Sequence, residues 1–302
     1  MNSSMNFDMS CAVLPNFLPS DLSLALAQAQ RLETRLNGVA TVWHAWHAVG
    51  GALQPTVVLL HGGSGSWTHW VRNIAPLVKA GWRVLVPDLP GFGDSDLPAG
   101  CNDVDALPAH LHAGLLQLQA DGFCAGPVSL VGFSFGGMAA ALWLADHPQD
   151  AVRLVLVGAP GMGLTVSERV PLKGWRHLTT AEAQEQVHRH NLMALMLQRP
   201  ESLDTLALAL HTANVQRDRM PRRRLSSTDI VARTLPRFQV PVSAIYGEHD
   251  ALYRGRLPEL QAAMQGLSTR WGQWHTVPAA GHWVQYEAPE PFHAALLGIL
   301  SA

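Results

Sequence analysis

Val128-Ser129-Leu130-Val131-Gly132-Phe133-Ser134-Phe135-Gly136-Gly137-Met138-Ala139-Ala140-Ala141 is the stretch that decides the fold of this 302-residue chain. A short apolar run with β-branched residues leads into Gly-x-Ser-x-Gly, and an alanine-rich segment of high helix propensity follows. The pattern predicts strand, sharp turn, helix. The apex of such a turn is held in an unfavourable backbone conformation, and its flanks must be small because a Cβ there would meet the neighbouring strand or helix. Gly132 and Gly136 meet that need. Ser134 would then stand clear of the sheet edge, with the first helical amides directed at whatever its hydroxyl holds.

The same alternation extends in both directions. Upstream, Leu32 to Leu36 and Val39 to Trp46 flank Asn37-Gly38, the strongest two-residue hairpin signal, so the sheet is expected to begin antiparallel. Thr56 to Leu60 is an apolar run of strand length, as for a strand covered on both faces, and it ends in His61-Gly62-Gly63-Ser64-Gly65-Ser66. Trp70, Val71, Ile74, Leu77 and Val78 have helical spacing, stopped by Gly81. Trp82 to Val86 is the next strand, and Val104, Leu107, Leu111, Leu115 and Leu118 mark a helix. After the opening stretch, Gly136 to His147 is helical and Leu154 to Val157 extended. Strands separated by helices mean right-handed crossovers and a mainly parallel sheet of the α/β class.

The rhythm breaks at Gly161. From there to about Arg237 no strand is predicted, only helical stretches such as Ala181 to Leu197 and Leu203 to Asn214, bounded by Pro200 and Pro221. Val242 to Tyr246 resumes the sheet, Leu257 to Met264 is helical, Trp274 to Val277 is the last strand, and Pro289 to Leu300 the closing helix. The expected organisation is an N-terminal arm with a short helix from Ser20-Asp21 through Gln30 in residues 1–31, a core in 32–160 and 238–302, and a helical lid in 161–237.

Composition removes several classes of function. Net charge is -2, without the Lys and Arg excess that draws a protein to nucleic acid or to an anionic membrane. The N-terminal segment holds Asp8 and Asp21, no Lys or Arg before Arg31, and Pro15 and Pro19 in its most apolar part, which is not the make-up of a secretory signal. No apolar run approaches a membrane span. Cys11, Cys101 and Cys124 have no paired spacing, so free thiols in a reducing compartment, the cytoplasm, are expected. The oligomeric state stays open.

A serine hydroxyl is a poor nucleophile at neutral pH, so Ser134 needs a general base, and the base needs a carboxylate to fix its tautomer. Tyr246-Gly247-Glu248-His249-Asp250 leaves one strand end, and Ala280-Gly281-His282-Trp283 follows the last strand by a short loop. His282 is thereby the expected base. Asp250 competes with Glu248 for the third place and is preferred because it lies further out in the loop that reaches His282. An acyl-transfer transition state also needs two convergent N–H donors for its oxyanion. Phe135, just after the nucleophile, supplies one; Gly63 is the choice for the other, with Ser64 second. A phosphate-binding reading of that glycine loop lacks the Gly-x-x-x-x-Gly-Lys-Ser/Thr pattern, and the chain's only lysines are Lys79 and Lys173. His44/His47, His110/His112 and His188/His190 lack metal-ligand spacing, so no metal and no other cofactor is expected.

His61-Gly62-Gly63, Asp88-Leu89-Pro90-Gly91-Phe92-Gly93-Asp94-Ser95, Gly132 to Gly137, Gly247 to Asp250 and Gly281-His282-Trp283, in this order, resemble the α/β-hydrolase fold family. The order Ser134, Asp250, His282 is that of its triad. The resemblance covers about residues 32–302 outside the lid. It implies an eight-stranded sheet with helices on both faces and hydrolysis through an acyl-serine intermediate. The Asp88 to Ser95 segment is read as a glycine-shaped structural loop. Within the family, His61 to Ser66 and Gly281 to Glu287 are similar to the carbon–carbon bond hydrolases that cleave ring-fission products of aromatic degradation. Those enzymes usually carry Asn where this chain has Phe133, and a lid Arg where a loose alignment places His211. Haloalkane dehalogenases and epoxide hydrolases use Asp at the nucleophile position, and Ser134 argues against both.

The expected function is cleavage of a small, largely apolar carboxylic ester by Ser134, His282 and Asp250. The alternatives are a carbon–carbon bond hydrolase with the same triad and a non-catalytic ligand-binding protein on the same fold. Phe133, Trp283, Met162, Trp175, Met193, Met196 and His211 are the candidate pocket residues for a small-molecule substrate, although a Leu/Met stripe at helical spacing also suits plain packing. Arg217, Arg219, Arg222, Arg223 and Arg224 are expected to form a solvated lid edge, with carboxylate binding as the second reading.

Overall fold

The computed structural model describes residues 27–47, 54–164 and 171–302. Eight strands form one sheet: β1 (Gln30–Leu36), β2 (Val39–Trp46), β3 (Thr56–Leu60), β4 (Arg83–Pro87), β5 (Val128–Phe133), β6 (Ala151–Val157), β7 (Val242–Gly247) and β8 (Trp271–Val277). Their order is β1-β2-β4-β3-β5-β6-β7-β8. β1, β2 and β4 pair antiparallel, and every pairing from β4 to β8 is parallel. The hairpin follows from its turn: Asn37 and Gly38 have φ of 52° and 83°, and a two-residue turn matching the strand twist needs positive φ at both.

Successive strand residues face opposite sides. Val58 and Leu60 of β3 enter one core with Leu130 of β5 and Leu154 of β6, while Val57 and Leu59 enter the other with Val131 and Val155. The first core is covered by α2 (Pro108–Ala120), α3 (Phe135–Asp146) and α6 (Leu257–Leu267); the second by α1 (Ile74–Lys79), α7 (Val284–Glu287) and α8 (Pro289–Ser301). Every residue of β3 and β5 is buried, which is why both read as continuous runs rather than alternations.

Between β6 and β7 the described residues hold no strand but two helices, α4 (Ala181–Asn191) and α5 (Thr205–Gln216), joined through irregular turns. Leu192, Met196, Leu197, Ala207 and Leu210 are buried in the second core and Met162, Met220, Val231 and Leu235 in the first, so this insertion packs onto both.

Some boundaries differ from expectation for identifiable reasons. The helix expected over 181–197 ends at Asn191 and widens into a π turn, Leu192–Met196, closed by the amide of Leu197 on the carbonyl of Leu192. The stretch after Gly65 begins as a tight 3₁₀ turn, Trp67–Trp70, capped by the Ser66 hydroxyl, before α1. β8 starts at Trp271 because its pairing with β7 runs back to Val242. Gln30, expected to end a helix, is the first residue of β1. The rest of that helix, apart from Ala27 to Ala29, lies outside the described residues, as does Cys11.

Candidate active site

β5 ends at Phe133, and Ser134 turns the chain into α3 with φ 51° and ψ −117°, a backbone state costing a non-glycine residue about 1–3 kcal/mol. The turn is held by hydrogen bonds: the Ser134 amide donates to Val157, and the amides of Gly137 and Met138 donate to the Ser134 carbonyl. A Cβ on Gly132 would lie 2.4 Å from the Gly136 carbonyl oxygen, and one on Gly136 would lie 2.4 Å from that of Leu60. Both glycines are therefore required for strand and helix to close.

The loop after β8 brings His282 to this turn. Its Nε2 is 2.9 Å from Ser134 Oγ, and its Nδ1 lies 2.9 and 3.0 Å from the two carboxylate oxygens of Asp250. With Nδ1 donating to the carboxylate, Nε2 is left to accept from the hydroxyl. The imidazole is 2% exposed and the carboxylate 0%. Asp250 Oδ1 also accepts the Leu252 amide, which anchors it. Glu248, the competing carboxylate, instead accepts the Ala279 amide and is half exposed, so it steadies the turn before His282 without touching the ring. Gly158, at φ +55°, follows β6 directly: a Cβ there would come within 3.1 Å of both Asp250 and His282.

The glycine loop after β3 forms the opposite wall. His61 is wholly buried, donating from Nδ1 to the Gly62 carbonyl and accepting the Leu89 amide at Nε2. Burial lowers its pKa, so it stays a neutral strut. The Gly62 amide donates to His69 Nδ1 at 3.2 Å. Gly62 is thus occupied, whereas among the described residues no hydrogen bond takes the amide of Gly63 or of Phe135, and both residues line the cavity above Ser134. Ser64, at φ 50°, sends its hydroxyl to Asp218 at 2.6 Å, and Asp218 pairs with Arg223 at 2.6 Å.

That cavity has a volume of about 670 Å³. Of the candidate pocket residues, Phe133, Trp175, Met196 and His211 line it. Met162, Met193 and Trp283 do not. Met162 is buried in the first core, Met193 packs against the second, and Trp283 is held edge-in by its indole N–H on the His69 carbonyl and by stacking on Tyr286. Their apolar character serves packing. His211 is brought down to about 4 by burial and by the neighbouring His188, and it faces the cavity uncharged.

The arginine run is a solvated edge only in part: Arg222 and Arg224 are exposed, and the other three arginines have partners. Arg217 pairs with Asp94, Arg219 donates to the carbonyls of Phe92, Gly93 and Ser95, and Arg223 reaches the cavity beside Gly63. Lys173, Arg176 and Arg254 also line the cavity, with Asp218 the carboxylate among the lining residues. Of this cationic rim sequence reasoning held only Arg223, through its second reading of the arginine run, and it missed Lys173, Arg176, Arg254 and also His69. Burial first, then the fields of His61, His211 and His282, hold His69 well below the usual histidine value. Its partner Gly62 is distant in no sense but the side chain's direction, which no spacing rule reveals.

One grouping of metal-ligand types was also unforeseen. His112, His147 and Asp150 have ligand atoms within 4.8 Å of one another. The two imidazoles stack at 3.6 Å with planes 3° apart, so no single ion lies in the plane of both lone pairs. His112 and the Trp143 indole N–H instead bond Asp150 Oδ2. Cys101 and Cys124 are buried free thiols, pushed up to about 11, chiefly by burial.

Comparison with known proteins adds three observations. The profile of a family described as "Alpha/beta hydrolase family" matches residues 57–295. Over 256 residues the chain is 29% identical to a 2-hydroxy-6-oxo-6-phenylhexa-2,4-dienoate hydrolase of Burkholderia cepacia, and equally to a 2-hydroxy-6-oxononadienedioate/2-hydroxy-6-oxononatrienedioate hydrolase of Comamonas testosteroni. Each alignment covers 81% of this chain and 87% of the relative. A solved structure described as a putative aryl esterase from Burkholderia cenocepacia superposes with a TM-score of 0.72 at 22% identity, over 90% of this chain and 98% of that one, a likeness of fold.

Proposed function

The chain belongs to the alpha/beta hydrolase family, and from that premise we propose that it is a serine hydrolase with Ser134 as nucleophile, His282 as base and then acid, and Asp250 orienting His282. The observation that carries the reading is the 2.9 Å contact of His282 Nε2 with Ser134 Oγ in the wall of a substrate-sized cavity.

In this mechanism the Ser134 oxygen attacks the substrate carbonyl as its proton passes to His282 Nε2. The charge that develops on the carbonyl oxygen is met by the amides of Gly63 and Phe135, each such donor being worth about 10²–10³ in rate. Collapse of the tetrahedral species expels the leaving group, which takes the proton back from His282. Water, deprotonated by the same imidazole, then frees the acyl group from Ser134.

We read the insertion between β6 and β7 as a lid over this chemistry. Trp175, Met196 and Phe133 give the cavity an apolar body, and the basic rim of Lys173, Arg176, Arg223 and Arg254 gives it a positive mouth. The substrate we infer is a small carboxylic ester with an apolar acyl or aryl portion and an acidic end. Buried unpaired thiols suit a cytoplasmic enzyme. The test is labelling by a fluorophosphonate: the wild type should carry the label on Ser134 and Ser134→Ala none, and persistent labelling of that variant refutes the assignment.

A second reading keeps the triad and changes the bond broken to a carbon–carbon bond in a vinylogous keto acid. The basic rim and the names of the two curated relatives favour it. Phe133 stands where the resembling enzymes usually carry Asn, and a loose alignment places His211 where they carry Arg, which weighs for the ester. Turnover of a ring-fission dienol acid far above that of aryl esters decides for the second reading, and the reverse order for the first.

A further inference from the structure

One buried carboxylate outside the triad joins the insertion to the loop that carries His282. Glu287, the last residue of α7, is 3% exposed. Its two oxygens accept the amides of Gln198 at 3.0 and 3.1 Å, Arg199 at 2.7 Å and Gly281 at 2.6 Å. The Arg199 guanidinium, itself 39% exposed, stands 3.9 Å away and also donates to the Glu287 carbonyl. On the other side of His282, the Trp283 amide donates to the Met196 carbonyl at 2.7 Å. Both chain neighbours of the imidazole are therefore fastened to the segment 196–199 of the insertion. Gly281 is pressed against it: a Cβ there would lie 2.8 Å from the Gln198 nitrogen.

A buried carboxylate is costly unless its lone pairs are filled, and one half-exposed arginine fills few of them. Three backbone N–H groups do fill them, through charge-assisted bonds about twice as strong as neutral ones. Gln198 and Arg199 end the irregular turn after the π segment and Gly281 opens the His282 loop, so these amides have no helix or sheet partner. Glu287 supplies one acceptor to all three.

We propose that Glu287 is a positioning residue: by binding Gly281 to the 198–199 segment it sets His282 against Ser134 and makes the seating of the insertion and the alignment of the base one mechanical unit. The proposal rests on the serine-hydrolase reading. Misplacing a catalytic group by about 1 Å costs on the order of 100-fold in rate, so the expected signature is a loss in kcat with little change in KM.

The test is Glu287→Gln, which keeps the shape but offers one accepting oxygen and turns an NH₂ toward amide donors. Active sites are counted by end-point fluorophosphonate labelling, and kcat for an aryl ester is expressed per labelled site. We expect kcat per site to fall 10- to 100-fold with KM within twofold. Gln198→Pro is the second variant. It removes one donor from the insertion while leaving Glu287, and Leu197 before it already has the extended backbone that proline requires, φ −117° and ψ 144°. It should lower kcat per site severalfold in the same manner, and it decides the matter by the same criteria if Glu287→Gln does not fold. Wild-type kcat per labelled site in either folded variant, or a loss carried by KM, overturns the positioning role while leaving the triad standing. Failure of the wild type to label at Ser134 is a different result, which removes the serine-hydrolase reading and this inference with it.

Discussion

Gly247 and Gly281 meet where the loop carrying Asp250 crosses the loop carrying His282, so closely that a Cβ on Gly247 would lie 2.1 Å from the Gly281 carbonyl oxygen. β7 ends at Gly247, and Asp250 follows it; His282 follows Gly281. The distance between imidazole and carboxylate is thus set by two backbones in contact.

Gly247→Ala tests that crossing. The methyl group must push one loop away, and we expect on the order of 100-fold loss of ester hydrolysis together with about 1–3 kcal/mol of stability. The control is Gly266→Ala in α6, where a Cβ meets nothing within 4 Å and should add about 0.4–1 kcal/mol. Urea midpoints and kcat for both variants check this; an active Gly247→Ala enzyme contradicts it.

Arg223 gives a prediction about charge. With Asp218 it flanks Gly63 at the cavity wall. Arg223→Gln should lower kcat/KM about tenfold for an ester bearing a carboxylate, as the loss of one charge-assisted hydrogen bond implies, and leave a neutral isostere within twofold. Equal losses on both substrates would mean the guanidinium only braces Asp218.

The buried histidines predict how stability follows pH. Burial lowers His44, His61, His69 and His211 below the unfolded value of 6.5, the last to about 4. Below pH 6.5 the unfolded chain therefore binds protons that the folded chain refuses. Stability is full above that pH and falls as pH drops toward the folded values, by up to ~1.4 kcal/mol per pH unit for each such histidine. Urea unfolding between pH 7 and 5 should show the decline, and His211→Gln should lessen the slope by about one proton. A flat profile contradicts the burial of these rings.

Cys101 and Cys124, with thiols pushed up to about 11, should resist a thiol reagent at pH 8 in the folded protein and react at once in denaturant.

What the sequence made legible, it made legible through local constraint. Asn37-Gly38 states its hairpin because two positive φ angles in succession suit those residues. Gly132 and Gly136 state the turn at Ser134 because no other side chain fits. Asp250 and His282 were legible as strand-end residues in a fixed order, and the choice of Asp250 over Glu248 followed from its reach. His69 and Gly158 were not, because each acts through a neighbour brought near only by the fold, and the carboxylate-binding reading of the arginine run could not tell that Arg223, rather than its neighbours, reaches the cavity. Met193 was misplaced because the π turn after Asn191 changes which side of the helix faces inward, and Met162 and Trp283 lie in loop segments, where no periodicity tells a core-facing side chain from a cavity-facing one.

The central claim is a covalent one, that the acyl group of the substrate rests on Ser134 between two half-reactions. It is tested most directly by acid-quenching the enzyme during turnover of a slowly deacylated aryl ester and weighing the peptide that contains Gly132 to Gly137. The account predicts a mass increase equal to the acyl group on Ser134, absent from Ser134→Ala, which should also lose turnover by at least about 10³-fold. An unmodified Ser134 peptide under these conditions, or a Ser134→Ala enzyme that still turns over, would contradict it.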